Sequence, residues 1–335
     1  MGAEAFGAKL LADVDSESLS SILDEFRKSH AEDAIERTLV GIKPIDHALS
    51  VLAASGSLRG KPVVEITSPS SADGKTSLLY YAAALAVLPA HLDLELSLGG
   101  QGAAVIWLDT DGRFDVLRFK QVMLGIAEES IKTAHCGSGE AETPIDGAVS
   151  YSVFEEALRH VHIFRPQSSA ALLATLESLP EYILHTQHHS RWRRIHAVIV
   201  DSASAFYWQD WREAEISRIP GAREEAEAQL QPSTATGHRA HIHRGIISCL
   251  HSLRKRFSCS ILYATAGLYP ARSPPFKPYL PHPWPIFPTV RFAVRRDPVR
   301  PFADGMTVDE AGVDASARQE IVQRVYLQAS EESHA

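Results

Sequence analysis

A β-branched run, Val63, Val64 and Ile66, precedes an apolar, Ala-rich stretch over residues 78–88, and between them stands Pro69-Ser70-Ser71-Ala72-Asp73-Gly74-Lys75-Thr76-Ser77. Strand, tight loop and helix in that order, with Gly-Lys-Thr at the helix start, follow the phosphate-binding pattern G-x-x-x-x-G-K-[ST]. No other feature constrains the chain as much, because such a loop belongs at the carboxyl end of a strand that feeds a helix.

Two positions weaken the pattern. Pro69 stands where the first glycine belongs; it fixes its own φ and offers no N–H. Asp73 sets a carboxylate beside a site meant for an anion. In an intact loop, consecutive backbone N–H groups surround the β-phosphate, the lysine adds charge at the β/γ oxygens and the hydroxyl ligates Mg²⁺. Ser70, Ser71, Ala72, Asp73, Gly74, Lys75, Thr76 and Ser77 are therefore the candidate nucleotide contacts, in a loop that is real but weakened or relict. The bland alternative is a turn in which Gly74-Lys75-Thr76 only starts a helix; the flanking strand and helix favour the loop.

Strand and helix signals alternate along the rest of the chain. Residues 103–108 form a buried strand ending in Asp109-Thr110-Asp111, followed by a helix from 115 to about 127. Residues 133–150, rich in Gly, Ser and acids, read as a surface loop. Strands are expected at 161–164, 195–200 and 260–264, with helices at about 170–184 and 242–257. Repeated strand–helix units imply an α/β fold, a mostly parallel central sheet flanked by helices on both faces. Leu19, Ile22, Leu23 and Phe26 mark an amphipathic helix before this core.

Two strand-terminal carboxylates carry further chemistry. An apolar strand ending in Asp201-Ser202 is what a Walker B segment looks like, and its carboxylate belongs near a Mg²⁺ held by Thr76. Asp111, at the end of the second strand, is placed to orient or deprotonate an attacking water; its plainer role is to form a turn before Gly112.

Composition excludes several classes. The chain of 335 residues is 45% apolar, enough for one large α/β domain plus extensions. No apolar run approaches the ~20 residues of a membrane span, and residues 1–13 lack the pattern of a signal peptide. The three cysteines, Cys136, Cys249 and Cys259, show no metal-ligand spacing. Neither His185, His188 and His189 nor His238, His241 and His243 is completed into a zinc pattern. A net charge of −8 opposes general nucleic-acid binding, leaving only local basic patches such as Arg191-Trp192-Arg193-Arg194, itself readable as plain solvated surface.

Three segments carry a family resemblance. They are Val105-Ile106-Trp107-Leu108-Asp109-Thr110-Asp111-Gly112-Arg113-Phe114-Asp115-Val116-Leu117-Arg118, then Val198-Ile199-Val200-Asp201-Ser202-Ala203-Ser204-Ala205-Phe206-Tyr207-Trp208, and Lys277-Pro278-Tyr279-Leu280 with Trp284 and the strand around Arg291-Phe292. With the phosphate loop in order among them, the chain resembles the RecA-like recombinases of eukaryotes, and within them a non-filament paralogue. The resemblance implies a RecA-like P-loop NTPase core over residues 39–330 ending in a C-terminal β-hairpin. It also implies an ATP and Mg²⁺ site shared between neighbouring subunits, other RecA-like paralogues as partners, a nuclear location, and work in recombinational DNA repair. Residues 1–38 are then a tail and helix that form a candidate docking segment, with Ala5-Phe6-Gly7-Ala8 as its candidate anchor, one residue short of the family's F-x-x-A spacing; the plainer reading is a terminal tail with no such role.

Departures from the family's active set qualify the inference. Active recombinases carry Glu at the place of Asp111 and Gln at the place of Ala266, and Pro69 and Asp73 add to these changes. Nucleotide binding is thus expected to be degenerate, with little turnover. The alternative is a working DNA-dependent ATPase, and a third reading is an unrelated small-molecule kinase. Two loops face DNA in such folds. The first, about 209–238, is acidic through Glu213, Glu215, Glu224, Glu225 and Glu227. The second, about 267–289, makes Arg272, Lys277, Tyr279 and Trp284 DNA candidates, since basic residues interleaved with aromatics suit stacking on single strands. The same aromatics can instead pack this Pro-rich segment onto the core.

Overall fold

The computed structural model describes residues 40–58, 60–69, 73–92, 96–135, 147–185, 188–216, 235–267, 280–295, 305–312 and 326–329. The chain divides into two units, Met1–Leu39 and Val40–Ala335, and the described residues all belong to the second. The tail, its Phe6 anchor and the amphipathic helix expected over 1–38 lie outside them.

The elements run α1 (Lys43–Ala54), β1 (Val63–Ser68), α2 (Lys75–Val87), β2 (Ala104–Asp109), α3 (Val116–His135), α4 (Gly147–Leu158), β3 (Val161–Phe164), α5 (Ser169–Leu184), β4 (Ile195–Asp201), α6 (Tyr207–Ile216), α7 (Ala235–Phe257), β5 (Ser260–Ala266), a 3₁₀ turn (Trp284–Ile286), β6 (Val290–Arg295) and β7 (Tyr326–Ala329). One sheet has the order β3-β2-β4-β5-β1-β6-β7. Its first six strands pair in parallel, and β7 joins β6 antiparallel. The expected α/β architecture with a parallel central sheet is thus present, and β6–β7 supplies the C-terminal antiparallel pair. Residues 296–325 separate the two strands, so no tight turn joins them.

The strands' composition explains their place. β1, β2 and β4 are buried along their whole length, as near-continuous apolar runs covered on both faces must be. Alternation along β2 separates the two covers. Ala104, Ile106 and Leu108 join a core with Leu172, Leu176 and Leu179 of α5 and Ile246, Leu250 and Leu253 of α7. Trp107, between them, faces the other way and meets Tyr80 of α2 at 5.1 Å and Phe114 at 5.0 Å between ring centroids. Phe119 of α3 completes that aromatic group.

Several element bounds differ from the sequence reading, and helix α6, which carries Glu213 and Glu215, occupies the start of the stretch read as the acidic loop at about 209–238. Helix α3 runs on to His135, and Ile126 and Ala127 are among its buried residues. Helix α4 begins at Gly147, inside the stretch read as loop, and buries Phe154 and Ala157 one turn apart. Helix α7 starts at Ala235, several residues before the expected 242. Its early turns are rich in His and Arg and show no apolar period; a buried contact of His243, described below, gives this part of the helix its tertiary anchor.

Candidate nucleotide site

The site begins with strand register. β2 and β4 place Asp109 beside Asp201, and β1 and β5 place Ser68 beside Ala266. Four strand ends thus meet at one carboxyl edge, where open α/β sheets hold ligands. Gly74 then turns the chain into α2 with φ of +93° and nothing within 4 Å of where a Cβ would stand. Only glycine adopts this conformation without strain, so the loop's second glycine is needed for backbone shape, not for space. Gly74 stands at the N-cap of α2 and has no side chain with which to cap it.

Lys75 and Thr76 take up the expected positions. Lys75 is only 7% exposed, and its ammonium donates to the Ser68 hydroxyl. Burial lowers the lysine pKa, while Asp73, Asp201 and Asp111 pull it back up. The Thr76 hydroxyl donates to Asp201 Oδ2 at 2.8 Å. Asp201 is buried, and desolvation raises its pKa to about 6, with the Thr76 bond opposing and Asp111 and Asp109 adding to the rise. The sequence motif and the strand-terminal aspartate, 125 positions apart, are therefore one site.

Asp111 stands at the rim. Its side chain keeps solvent contact, yet neighbouring protein displaces enough water to raise its pKa, and Asp109 adds to this against the opposing Arg113. Asp109 has a different task. Its Oδ1 accepts from the Arg113 N–H at 2.9 Å, while Oδ2 accepts from the Phe114 N–H at 3.1 Å and from Arg165 Nε at 2.9 Å. It builds the turn that presents Asp111. The Tyr80 hydroxyl accepts from the Asp115 N–H at 2.8 Å, tying α2 to that same turn. Arg118 donates to the Ser77 hydroxyl at 2.7 Å.

Ala266 ends β5 at this edge, and its N–H donates to the Ser204 hydroxyl at 2.9 Å. Its methyl side chain has no hydrogen-bonding group to offer a ligand. Pro69 follows β1 directly, and Ser70, Ser71 and Ala72 lie outside the described residues.

Sequence reasoning did not find the buried polar groups behind the edge. Glu65 is 1% exposed and accepts from Arg291 Nε at 2.7 Å, from Thr265 at 2.8 Å and from Tyr263 at 3.2 Å. It locks β5, β1 and β6 together under the phosphate loop. The only hint in sequence is a lone acid in an apolar strand.

The DNA candidates divide. Arg272, Lys277 and Tyr279 lie outside the described residues, as do Glu224, Glu225 and Glu227. Trp284 is 1% exposed and packs on Tyr263, so in this structure its ring is part of the core and is closed to a base. Its Nε1 donates to His243 Nδ1 at 3.1 Å, and His243 Nε2 in turn donates to Asp210 Oδ2 at 3.0 Å. Asp210 Oδ2 also accepts from the Ser169 hydroxyl at 2.7 Å. The indole explains its burial by satisfying this chain. Among the described residues, no group of three or more His, Cys, Asp or Glu side chains is arranged to hold a metal ion, and no helix is long and apolar enough to cross a membrane.

No protein-family model matches the chain. Among curated proteins it is similar to the DNA repair protein XRCC2 homolog of Arabidopsis thaliana, at 26% identity over 286 residues that cover 71% of this chain and 70% of the relative. The chain is thus a relative of that protein, and the similarity bears out the RecA-paralogue resemblance drawn from residues 105–118 and 198–208.

Proposed function

We propose that the chain is a non-filament subunit of a complex of RecA-like paralogues that supports homologous recombination repair of DNA double-strand breaks in the nucleus. The observation that carries this reading is the similarity to a DNA repair protein over 286 residues. The folded nucleotide edge supports it and qualifies its chemistry.

The residues at that edge fit ATP with Mg²⁺ at the magnesium end. Thr76 and Asp201, already 2.8 Å apart, would hold the ion, and Lys75 and the N-terminus of α2 would hold the β-phosphate. Mg²⁺ held there would supply positive charge against the negative charge of the phosphates. The groups that act on water and on the terminal phosphate fit less well. Asp111 is one methylene shorter than Glu, Ala266 brings no hydrogen-bonding group, and Pro69 removes an N–H from the loop. The reading is therefore nucleotide held for structure or regulation, with slow turnover.

The test is recovery of the tagged full chain from cells with damaged DNA, followed by identification of what accompanies it. Other RecA-like subunits in stoichiometric amount are expected; a chain that elutes alone, or with none of them, overturns the proposal. The contact between Thr76 and Asp201 favours one second reading, an active DNA-dependent ATPase. Steady-state ATP turnover strongly stimulated by single-stranded DNA would establish that reading instead.

A further inference from the structure

The amino end of β4 carries a patch that the nucleotide edge does not explain. Arg191, Trp192, Arg193 and Arg194 stand immediately before the strand. Trp192 is 87% exposed, so its indole adds almost nothing to the fold's own burial. The Arg191 guanidinium lies over that ring at 4.8 Å from the centroid.

The patch is built on a fixed base. The Arg191 N–H donates to the His188 carbonyl at 3.0 Å, the Arg193 N–H to the Ser190 carbonyl at 2.9 Å, and the Ala104 N–H to the Arg194 carbonyl at 2.9 Å. Ser190 is itself 1% exposed, its hydroxyl held between His160 Nδ1 at 2.7 Å and His162 Nε2 at 2.8 Å. Arg194 also bonds the Gln101 side chain, and Arg193 lies 3.8 Å from Glu156. Arg159, 72% exposed in the turn after α4, adds a further positive charge beside Glu156.

Parallel strands put this patch at the sheet edge opposite the phosphate loop. The seven residues of β4 separate the two, about 20 Å at ~3.3 Å per residue. The occupant follows from chemistry. Exposed aromatic rings flanked by arginine are the stacking platform and phosphate contacts of single-strand recognition. A single strand would use the exposed indole and the guanidinium groups together, base on ring and phosphate on arginine.

We propose that residues 191–194 form a contact site for single-stranded nucleic acid on the amino edge of the sheet. One base stacks on Trp192, and Arg191, Arg193 and Arg194 engage phosphates. The site does not include the Pro-rich segment that carries Arg272 and Lys277, and the proposal needs no bound nucleotide. In a chain of net charge −8, binding is weak and falls steeply with salt.

The test uses the full chain and a fluorescein-labelled oligothymidylate of about 20 nucleotides, titrated by anisotropy from about 50 to 200 mM salt. Trp192→Ala is expected to lower affinity about tenfold, with Trp192→Phe recovering most of the loss. Arg191→Ala with Arg194→Ala should flatten the slope of log K against log salt by about 1.4, at ~0.7 per lost phosphate contact. Far-ultraviolet dichroism and melting confirm that each variant is folded. The proposal is overturned if the folded variants match the parent in affinity and slope, or if the parent shows no binding at the lowest salt. It is also overturned if polyglutamate displaces the oligonucleotide as well as unlabelled DNA while Trp192→Ala has no effect, which would make the patch a site for an acidic protein segment. Nucleotide is absent throughout, so failure here leaves the subunit and ATP readings untouched.

Discussion

The Thr76 hydroxyl donates to Asp201 Oδ2 at 2.8 Å, joining the first turn of α2 to the carboxyl end of β4. The contact holds two magnesium-ligand types at bonding reach of one point and keeps a buried carboxylate partnered.

Asp201 makes stability depend on pH. Its pKa rises from 3.8 to about 6 on folding, chiefly through burial. Between those values the folded chain binds the proton more tightly than the unfolded chain does. The contribution to stability is complete below about pH 4 and is lost as pH rises through about 6. Above that, the ionised carboxylate opposes folding by something on the order of 3 kcal/mol. Asp201→Asn should therefore raise the urea midpoint at neutral pH and lose that advantage toward pH 4. A midpoint difference that stays constant across this range would contradict the account.

Lys75→Ala removes the ammonium aimed at the phosphate loop. If turnover is dispensable, cells carrying the variant should keep most of their resistance to double-strand breaks, measured as survival after irradiation. A null phenotype in a stably expressed protein would show that nucleotide engagement is essential.

Glu65→Ala takes the acceptor away from Arg291, Thr265 and Tyr263 at once. Breaking a buried ion pair from one side costs about 3–5 kcal/mol. Chemical denaturation should show a loss of that order, with Glu65→Gln losing less because its amide oxygen still accepts. A loss under about 1 kcal/mol for Glu65→Ala would mean that the pair does not hold β1 to β6.

Trp284→Phe keeps a ring in the core and removes the indole N–H from His243 Nδ1. A buried acceptor left unsatisfied costs about 1–3 kcal/mol. The variant should melt earlier yet bind single-stranded DNA as the parent does, below the melting range. Unchanged stability with weakened DNA binding would return Trp284 to the DNA-facing set.

Much of the site was legible because its chemistry is local. Gly74, Lys75 and Thr76 are consecutive, and Asp201 ends an apolar run that only a buried parallel strand explains. What escaped was held by distance. Glu65 and Arg291 are 226 positions apart, and no periodicity links them. Trp284 reads from sequence either as a ring for stacking on DNA or as packing for the core, because prolines and basic residues surround it. Its burial depends on His243 and Asp210, which other helices bring to it. Helix α4 was missed because a single apolar turn is weak against a Gly- and Ser-rich background.

The bond between the Tyr80 hydroxyl and the Asp115 N–H has a mechanical consequence. Tyr80 sits on the helix that begins at Lys75, and Asp115 closes the turn that presents Asp111. Any tilt of that helix is transmitted through a rigid ring to the water-facing carboxylate, with no flexible side chain in between. If nucleotide fills the loop, this linkage would let the rim respond whether or not the nucleotide is cut.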